Sequence, residues 1–367
     1  MLAAVWAFCV APASAEVFGP EVASRFAPVV EFAGGERDLP ASVPWYLEHS
    51  TLEWHNDDGC PSDPIRSQRP WSEAEIRALG EGGYATQARD GSCHKAGPRF
   101  TTSEHTRPTD GGRPPRLAPS DGFVLNLQGS SEAVRDGIPD TTPNEPRRYT
   151  GSPVYYESGD LIERGTSMGD YAYLTYWFFY AYDNGFGPQN HEGDWEGMSV
   201  IFKATSPGHY RPVALGLNQH SATQGIAWKE RRFPHDRPLV FSAKGSHATY
   251  DHAFGVNLHT DTTGGGVLWE TAAQLLPLAN EPWRGYCGGW GQVGKAAESP
   301  LHLGDTTGPS GPGCVVNGRL IKNAIPAGWG VPAPVGQAAL GDRGRRSRSL
   351  SQGQCRGRSG TRGSPRP

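Results

Sequence analysis

The residues from Tyr171 to Phe202 constrain the fold more than any other part of the chain. They read YAYLTYWFFYAYDNGFGPQNHEGDWEGMSVIF: an aromatic run, a Gly/Asn loop, an acid-and-histidine cluster and a second apolar run. The first run is short, dense in Tyr, Phe and Trp, and free of Gly and Pro. That composition fits a strand buried on both faces better than a helix. Asp183-Asn184-Gly185-Phe186-Gly187-Pro188 supplies the residues that a chain reversal requires. Trp195 to Phe202 then reads as the returning strand, because Met198, Val200 and Phe202 recur with period two. On such a strand Asp194 and Glu196 share one face and Trp195 takes the other. Asp183 closes the first strand where the second begins, so Asp183, His191, Asp194 and Glu196 are expected to converge at one end of a hairpin.

Three carboxylates and an imidazole in one small volume repel one another unless a positive charge lies between them. Without one, the carboxylates must take up protons or bear the cost of desolvation. A divalent cation resolves the conflict, and oxygen-rich ligands with one imidazole suit Mg²⁺, Ca²⁺ or Mn²⁺ better than a thiolate-seeking metal. Two other readings stay open on spacing alone. The side chains can bond loop N–H groups and nearby Arg or Lys with no metal present. They can also form a carboxylate pair for acid–base catalysis.

The heptapeptide Asn190-His191-Glu192-Gly193-Asp194-Trp195-Glu196, preceded by its aromatic strand, resembles the signature of the Vps62-related family. It also resembles the Gly-His-Arg-His-Asp-Trp-Glu heptapeptide of the necrosis- and ethylene-inducing (NPP1-type) secreted proteins. In the latter, the first His, the Asp and the Glu of the heptapeptide hold a divalent cation together with an Asp eight residues upstream. The resemblance therefore implies Asp183, His191, Asp194 and Glu196 as metal ligands, with Mg²⁺ or Ca²⁺ ahead of Mn²⁺ or Zn²⁺. Glu192-Gly193 stands where the cytolytic proteins have Arg-His, so toxin activity does not carry over and the Vps62-like pattern fits better. A second block, Ala243-Lys-Gly-Ser-His-Ala-Thr-Tyr250, resembles the Gly-Ser-His-Ala-Ser-Tyr segment of the Vps62-like proteins. It places His247, with Glu192, as a candidate neighbour of the metal or its bound water. Trp283 to Gly291 resembles the Gly-x-Trp-Gly closing strand of the same proteins, a packing element.

With 49 Gly and 32 Pro in 367 residues, the chain is rich in turns. The expected fold is mainly β, a β-sandwich with few short helices and long Gly/Pro-rich loops. Strands are expected at Phe26–Phe32, Phe123–Leu127, Pro153–Glu157, Val213–Leu217 and Leu239–Ser242. Ser42 and Pro44 are placed to start a short helix, and Ser72-Glu73-Ala74-Glu75 forms a capping box for another.

Residues 1–15, an apolar stretch ending in Ala13-Ser14-Ala15, read as a signal peptide. The Vps62-like domain is then 16–342. Residues 343–367 form an Arg/Gly/Ser-rich tail expected to be disordered. That tail holds eight arginines and no lysine, so the rest of the chain carries about −12 against a whole-chain charge of −4. Cys60, Cys93, Cys287 and Cys314 form an even set in loop-like surroundings, read as Cys60–Cys93 and Cys287–Cys314 disulfides in an exported protein. No apolar run is long enough to span a membrane. The expected function is a secreted, cation-dependent binding protein for a carbohydrate or lipid headgroup at a cell surface, with no nucleic-acid partner. The alternatives are a metal-dependent hydrolase in which Glu192 or His247 moves the proton, and a purely structural cation.

Overall fold

The structure is a computed structural model. It describes residues 17–55, 63–66, 122–127, 148–149, 151–163, 166–185, 191–219, 222–228, 237–254, 261–286, 288–293, 306–307, 309–316, 319–320, 324–326 and 331–332. The capping box at Ser72, the residues 1–15, the tail 343–367 and the cysteines Cys60, Cys93 and Cys287 lie outside these. Cys314 is fully buried and disulfide-bonded.

The N-terminal part runs through helix α1 (Pro20–Phe26), strand β1 (Val29–Ala33), helix α2 (Val43–Glu48) and strands β2 (Ser50–His55) and β3 (Asp63–Arg66). The middle holds β4 (Gly122–Leu127), β5 (Arg148–Tyr149), β6 (Val154–Glu163), β7 (Thr166–Asp183), β8 (His191–Ser206), β9 (His209–Gln219) and β10 (Ala222–Ala227). After these come β11 (Leu239–Ser242), β12 (Thr249–Tyr250), β13 (Gly265–Glu270) and β14 (Leu275–Pro277).

Two sheets make the sandwich. The larger has the main order β10-β9-β8-β7-β6-β14, and the smaller the order β12-β11-β1-β13-β5. In the smaller sheet β1 runs parallel to β11, with Val29 opposite Leu239, and antiparallel to β13.

The aromatic strand β7 is buried on both faces, as its composition predicts. Leu174, Tyr176, Phe178 and Tyr180, with Met198, Val200 and Phe202 of β8, pack on Val30, Phe32, Val240 and Trp269 of the smaller sheet. The alternate residues Trp177 and Phe179, with Trp195 of β8, pack on Tyr46 and Leu47 of α2, Leu125 of β4, and Trp283, Tyr286 and Trp290. Trp195 is at the centre of this second cluster, with ring centroids 4.7 Å from Phe179, 5.2 Å from Trp290 and 5.4 Å from Trp283. Helix α2 starts as its sequence indicates: the Ser42 hydroxyl accepts from Trp45 N at 3.2 Å, and a Pro occupies the first turn.

Two expectations need correction. Phe26 closes helix α1 and does not open a strand, and the strand begins only at Val29. Pro20 at the helix start, Glu21 in the first turn and Arg25 in the last favour the helix, and the Tyr176 hydroxyl secures it by donating to Ala23 O at 2.7 Å. Trp283 to Tyr286 form turns and not a closing strand, with Arg284 N donating to Glu281 O and Tyr286 N to Trp283 O, while Gly289 makes an isolated bridge to Val124. Gly285, at φ +91°, takes a backbone conformation that no strand has. Its packing role holds, since Trp283, Tyr286 and Trp290 are all buried. Among the described residues, no helix is long and apolar enough to cross a membrane.

Removing the Trp195 side chain should leave a cavity that its rigid aromatic neighbours cannot close. Trp195→Ala is expected to cost about 3–5 kcal/mol in denaturant unfolding. A loss below about 1 kcal/mol would show that the second cluster does not hold the sheet.

Candidate functional site

The register between β7 and β8 sets the site. Phe178 lies opposite Glu196, Tyr180 opposite Asp194, Tyr182 opposite Glu192 and Asp183 opposite His191. From Asp194 onward the strand alternates as expected, with Asp194 and Glu196 on the face of Tyr180 and Phe178, and Trp195 on the other.

Toward the hairpin mouth the alternation breaks at Gly193, whose φ is +65°. A side chain there would collide with the Trp290 carbonyl, which already accepts the Tyr46 hydroxyl. Only glycine combines this backbone conformation with so close an approach. Regular alternation would put Glu192 on the face of Asp194 and His191 on the other; the break exchanges their faces. The Glu192 carboxylate accepts from Leu127 N at 3.1 Å, on the side of α2 and β4, and its charge helps raise the Tyr46 phenol, chiefly raised by burial. His191 turns the other way, toward Asp183 and Asp194.

Asp183, His191 and Asp194 each present a ligand atom, and these atoms all lie within 4.8 Å of one another. His191 Nε2 is 3.5 Å from Asp183 Oδ2. Its Nδ1 lies 3.1 Å from the Glu192 carbonyl, an oxygen that can only accept. A proton on Nδ1 satisfies that contact and directs Nε2 at the cluster, the orientation a metal-bound imidazole would take. Asp183 Oδ1 accepts from Gly185 N at 2.7 Å, so its other oxygen is turned inward. The Asp183 and His191 side chains keep 14% and 18% exposure, while Asp194 is 3% exposed, so the cluster opens to solvent on the Asp183–His191 side.

Glu196 is buried two residues further along β8 and is not one of the three clustered groups. One strand repeat of about 6.6 Å separates it from Asp194, enough to set it behind the cluster. Its charge is felt by the Tyr180 and Tyr250 phenols, both raised first by burial.

His247 does reach the site. Its Nδ1 is 3.0 Å from Asp194 Oδ2, and its ring stacks on Tyr180 at 3.7 Å between centroids and 2° between planes. Burial by itself would depress this imidazole. The hydrogen bond to Asp194 and the charges of Glu36, Asp194 and Asp183 outweigh burial and hold it at about 9. Burial likewise pushes the Asp183 carboxyl up, with the Asp194 charge adding to it and His191, His247 and Gly185 N opposing.

The carboxylates of Asp194, Glu36 and Asp183 therefore act on the buried His247 ring, with Glu196 further along β8 and the exposed Lys244 ammonium lying over Gly35 on the outer side. The residues present fit a divalent cation: two carboxylates and an imidazole nitrogen at bridging distance, with excess negative charge behind them. His247 Nε2 is buried with no hydrogen-bond partner among the described residues, a donor that a water or ligand oxygen would satisfy.

Glu36 and Asp261 are the polar residues near the site that spacing does not reveal. Asp261 accepts from the Ser246 hydroxyl at 3.2 Å and the Tyr250 hydroxyl at 2.6 Å, which fixes the loop carrying His247. His252 is bonded to Asp251 at 2.7 Å on the surface, and His259 lies outside the described residues.

No protein-family model matches the chain. Among known proteins it is similar to TDA6 of Saccharomyces cerevisiae, named for vacuolar protein sorting, at 26% identity over 190 aligned positions. That alignment covers 38% of this chain and spans only 38% of the yeast protein's length. Among solved structures it is similar to Necrosis and Ethylene inducing Protein 2 from the causal agent of cocoa's witches' broom disease. There the TM-score is 0.31 at 12% identity, covering 73% of this chain and 78% of that one. The non-toxic HaNLP3 protein gives 0.30 at 12% identity, covering 74% and 81%. NLPPya, solved in complex with glucosamine, gives 0.29 at 12% identity, covering 73% and 79%. Superpositions at this level carry no functional inference.

Gly193→Ala forces a side chain into the Trp290 carbonyl at a left-handed backbone position. It is expected to lower stability by at least about 1–3 kcal/mol and to free the Glu192 carboxylate from Leu127 N. Thermal unfolding and amide exchange at Leu127 check this, and an unchanged midpoint with a protected Leu127 amide would contradict it.

Proposed function

We propose that this chain is an exported, divalent-cation-dependent binding protein that recognises a hydroxyl- or phosphate-bearing headgroup, on a carbohydrate or a lipid, at a cell surface. The observation that carries the reading is the convergence of Asp183, His191 and Asp194 within 4.8 Å at a half-open hairpin mouth. These three residues would hold the cation, with Glu196 as a deeper carboxylate behind them. An oxygen-dominated set of three or four protein ligands suits Mg²⁺ or Ca²⁺ and leaves coordination positions for oxygens from outside the chain. A cation there supplies a fixed positive charge and open sites for ligand oxygens. The protein's own part is to orient the donors. His191 is held by the Glu192 carbonyl, Asp183 by Gly185 N, and Asp194 by His247. Export is proposed from the apolar residues 1–15 and their Ala13-Ser14-Ala15 ending.

Binding is favoured over hydrolysis by where the candidate proton carriers lie. Glu192 faces Leu127 N beneath the sheet, and His247 is fully buried against Asp194 and Tyr180. Neither stands on the open side, where a general base must meet a substrate.

The test is a glycan array and vesicles bearing anionic headgroups, each probed with and without chelator. Chelation should abolish binding and lower the thermal midpoint, because a ligand bound only by the folded state stabilises it. Asp183→Asn should lose most of both effects, and Glu192→Gln should keep its metal-dependent binding. Binding that ignores the chelator would overturn the proposal. Turnover of a bound substrate that falls about two to four powers of ten in Glu192→Gln would replace it with the hydrolase.

A further inference from the structure

Glu36 lies on the turn that follows β1, where Glu36 N donates to Ala33 O and Gly35 takes φ +75°. The chain then runs alongside the end of β7: Pro40 bridges Tyr180, and Ala41 N donates to Phe179 O at 2.8 Å. This course brings the turn beside the cation site from the smaller sheet. The Glu36 carboxylate accepts three backbone N–H groups. Oε1 takes Arg37 N at 2.7 Å and Asp38 N at 2.8 Å, both within its own turn. Oε2 takes Gly245 N at 2.6 Å, across to the loop after β11. The local pair fixes the carboxylate, and the third bond spends its charge on another segment.

That third bond falls on one residue that touches both halves of the site. Gly245 O accepts from Asn184 N at 2.9 Å, and Asn184 directly follows Asp183. Gly245 itself is left-handed, φ +74°, and a side chain there would run into the Asn184 carbonyl. Two residues on, His247 is also left-handed, at φ +54°, and bonds Asp194. Gly185, at the other end of the contact, lies directly against Ser246. The loop 244–247 thus presses on the Asp183 end and grips Asp194, and Glu36 holds it in place.

We propose that Glu36 is a positioning residue of the cation site: it contacts no cation and, through Gly245, holds the loop that orders Asp183 and Asp194. This rests on the cation reading of the Asp183–His191–Asp194 cluster. A carboxylate serving only its own turn would need nothing beyond Arg37 N and Asp38 N. The bond to Gly245 N is the observation that requires more.

The test is calorimetric titration of the full chain with Mn²⁺, for wild type, Glu36→Gln and Glu36→Asp, with amide exchange at Gly245 and Asn184. Glu36→Gln keeps the length and loses the charge. Glu36→Asp keeps the charge and is one methylene too short to hold both the turn and Gly245. Both should bind Mn²⁺ about 10- to 100-fold more weakly, the usual effect of losing a group that orients metal ligands. In both, the two amides should exchange faster in the metal-free protein. Wild-type affinity in both variants would overturn the proposal and leave the cation site standing. Weakening in Glu36→Gln with full affinity in Glu36→Asp would also overturn it, because charge at a distance and not position would then be the cause. A wild-type chain that binds no Mn²⁺ would overturn the cation reading and this inference together.

Discussion

The mouth of the β7–β8 hairpin gathers several buried acidic side chains among the described residues, and the surrounding architecture is arranged to hold them in place. Asp194 and Glu196 are carried to the buried face of β8 by strand alternation, and Asp183 is delivered by the end of β7. One imidazolium, His247, sits among them and is held charged by its bond to Asp194. Among the described residues, the carboxylates of Asp183, Asp194 and Glu36 act on that one buried ring, and burial makes uncompensated charge costly. Asp183, His191, Asp194 and Glu36 are tied down separately, by Gly185 N, the Glu192 carbonyl, His247 and Gly245 N, so they are held from swinging into water. Rigid, converging donors are what the proposed divalent cation would require.

The aromatic core explains how so polar a site stays ordered. β7 and β8 are packed on both faces, so the strands that carry Asp183, His191 and Asp194 cannot shift register without moving two hydrophobic layers. The break at Gly193 is set by one of those layers, because the Trp290 carbonyl fills the space where a side chain would go. Packing on that side of the sheet thereby decides which faces His191 and Glu192 take.

Much of this was legible in the sequence, and the exceptions have physical causes. The β7 and β8 strands, the facing of Asp194 and Glu196 against Trp195, and the start of α2 at Ser42 follow from local composition, period two and capping. Glu192 was not legible as a residue of the opposite side, because period two puts it on the face of Asp194 and only the left-handed Gly193 reverses the phase. Phe26 reads as strand by propensity, while the helix there depends on Pro20 and on the Tyr176 hydroxyl. Glu36 carries no ligand spacing at all. It reaches the site because β1 pairs in parallel with the distant β11, and long-range pairing of that kind leaves no local trace.

The central claim is that Asp183, His191 and Asp194 share one cation. Electron paramagnetic resonance of the Mn²⁺-loaded protein tests it most directly, since it counts bound ions and detects a directly coordinated nitrogen. The account predicts one Mn²⁺ per chain coupled to a single nitrogen, with that coupling lost in His191→Ala. No stoichiometric Mn²⁺, or a nitrogen coupling that survives the loss of His191, would contradict it.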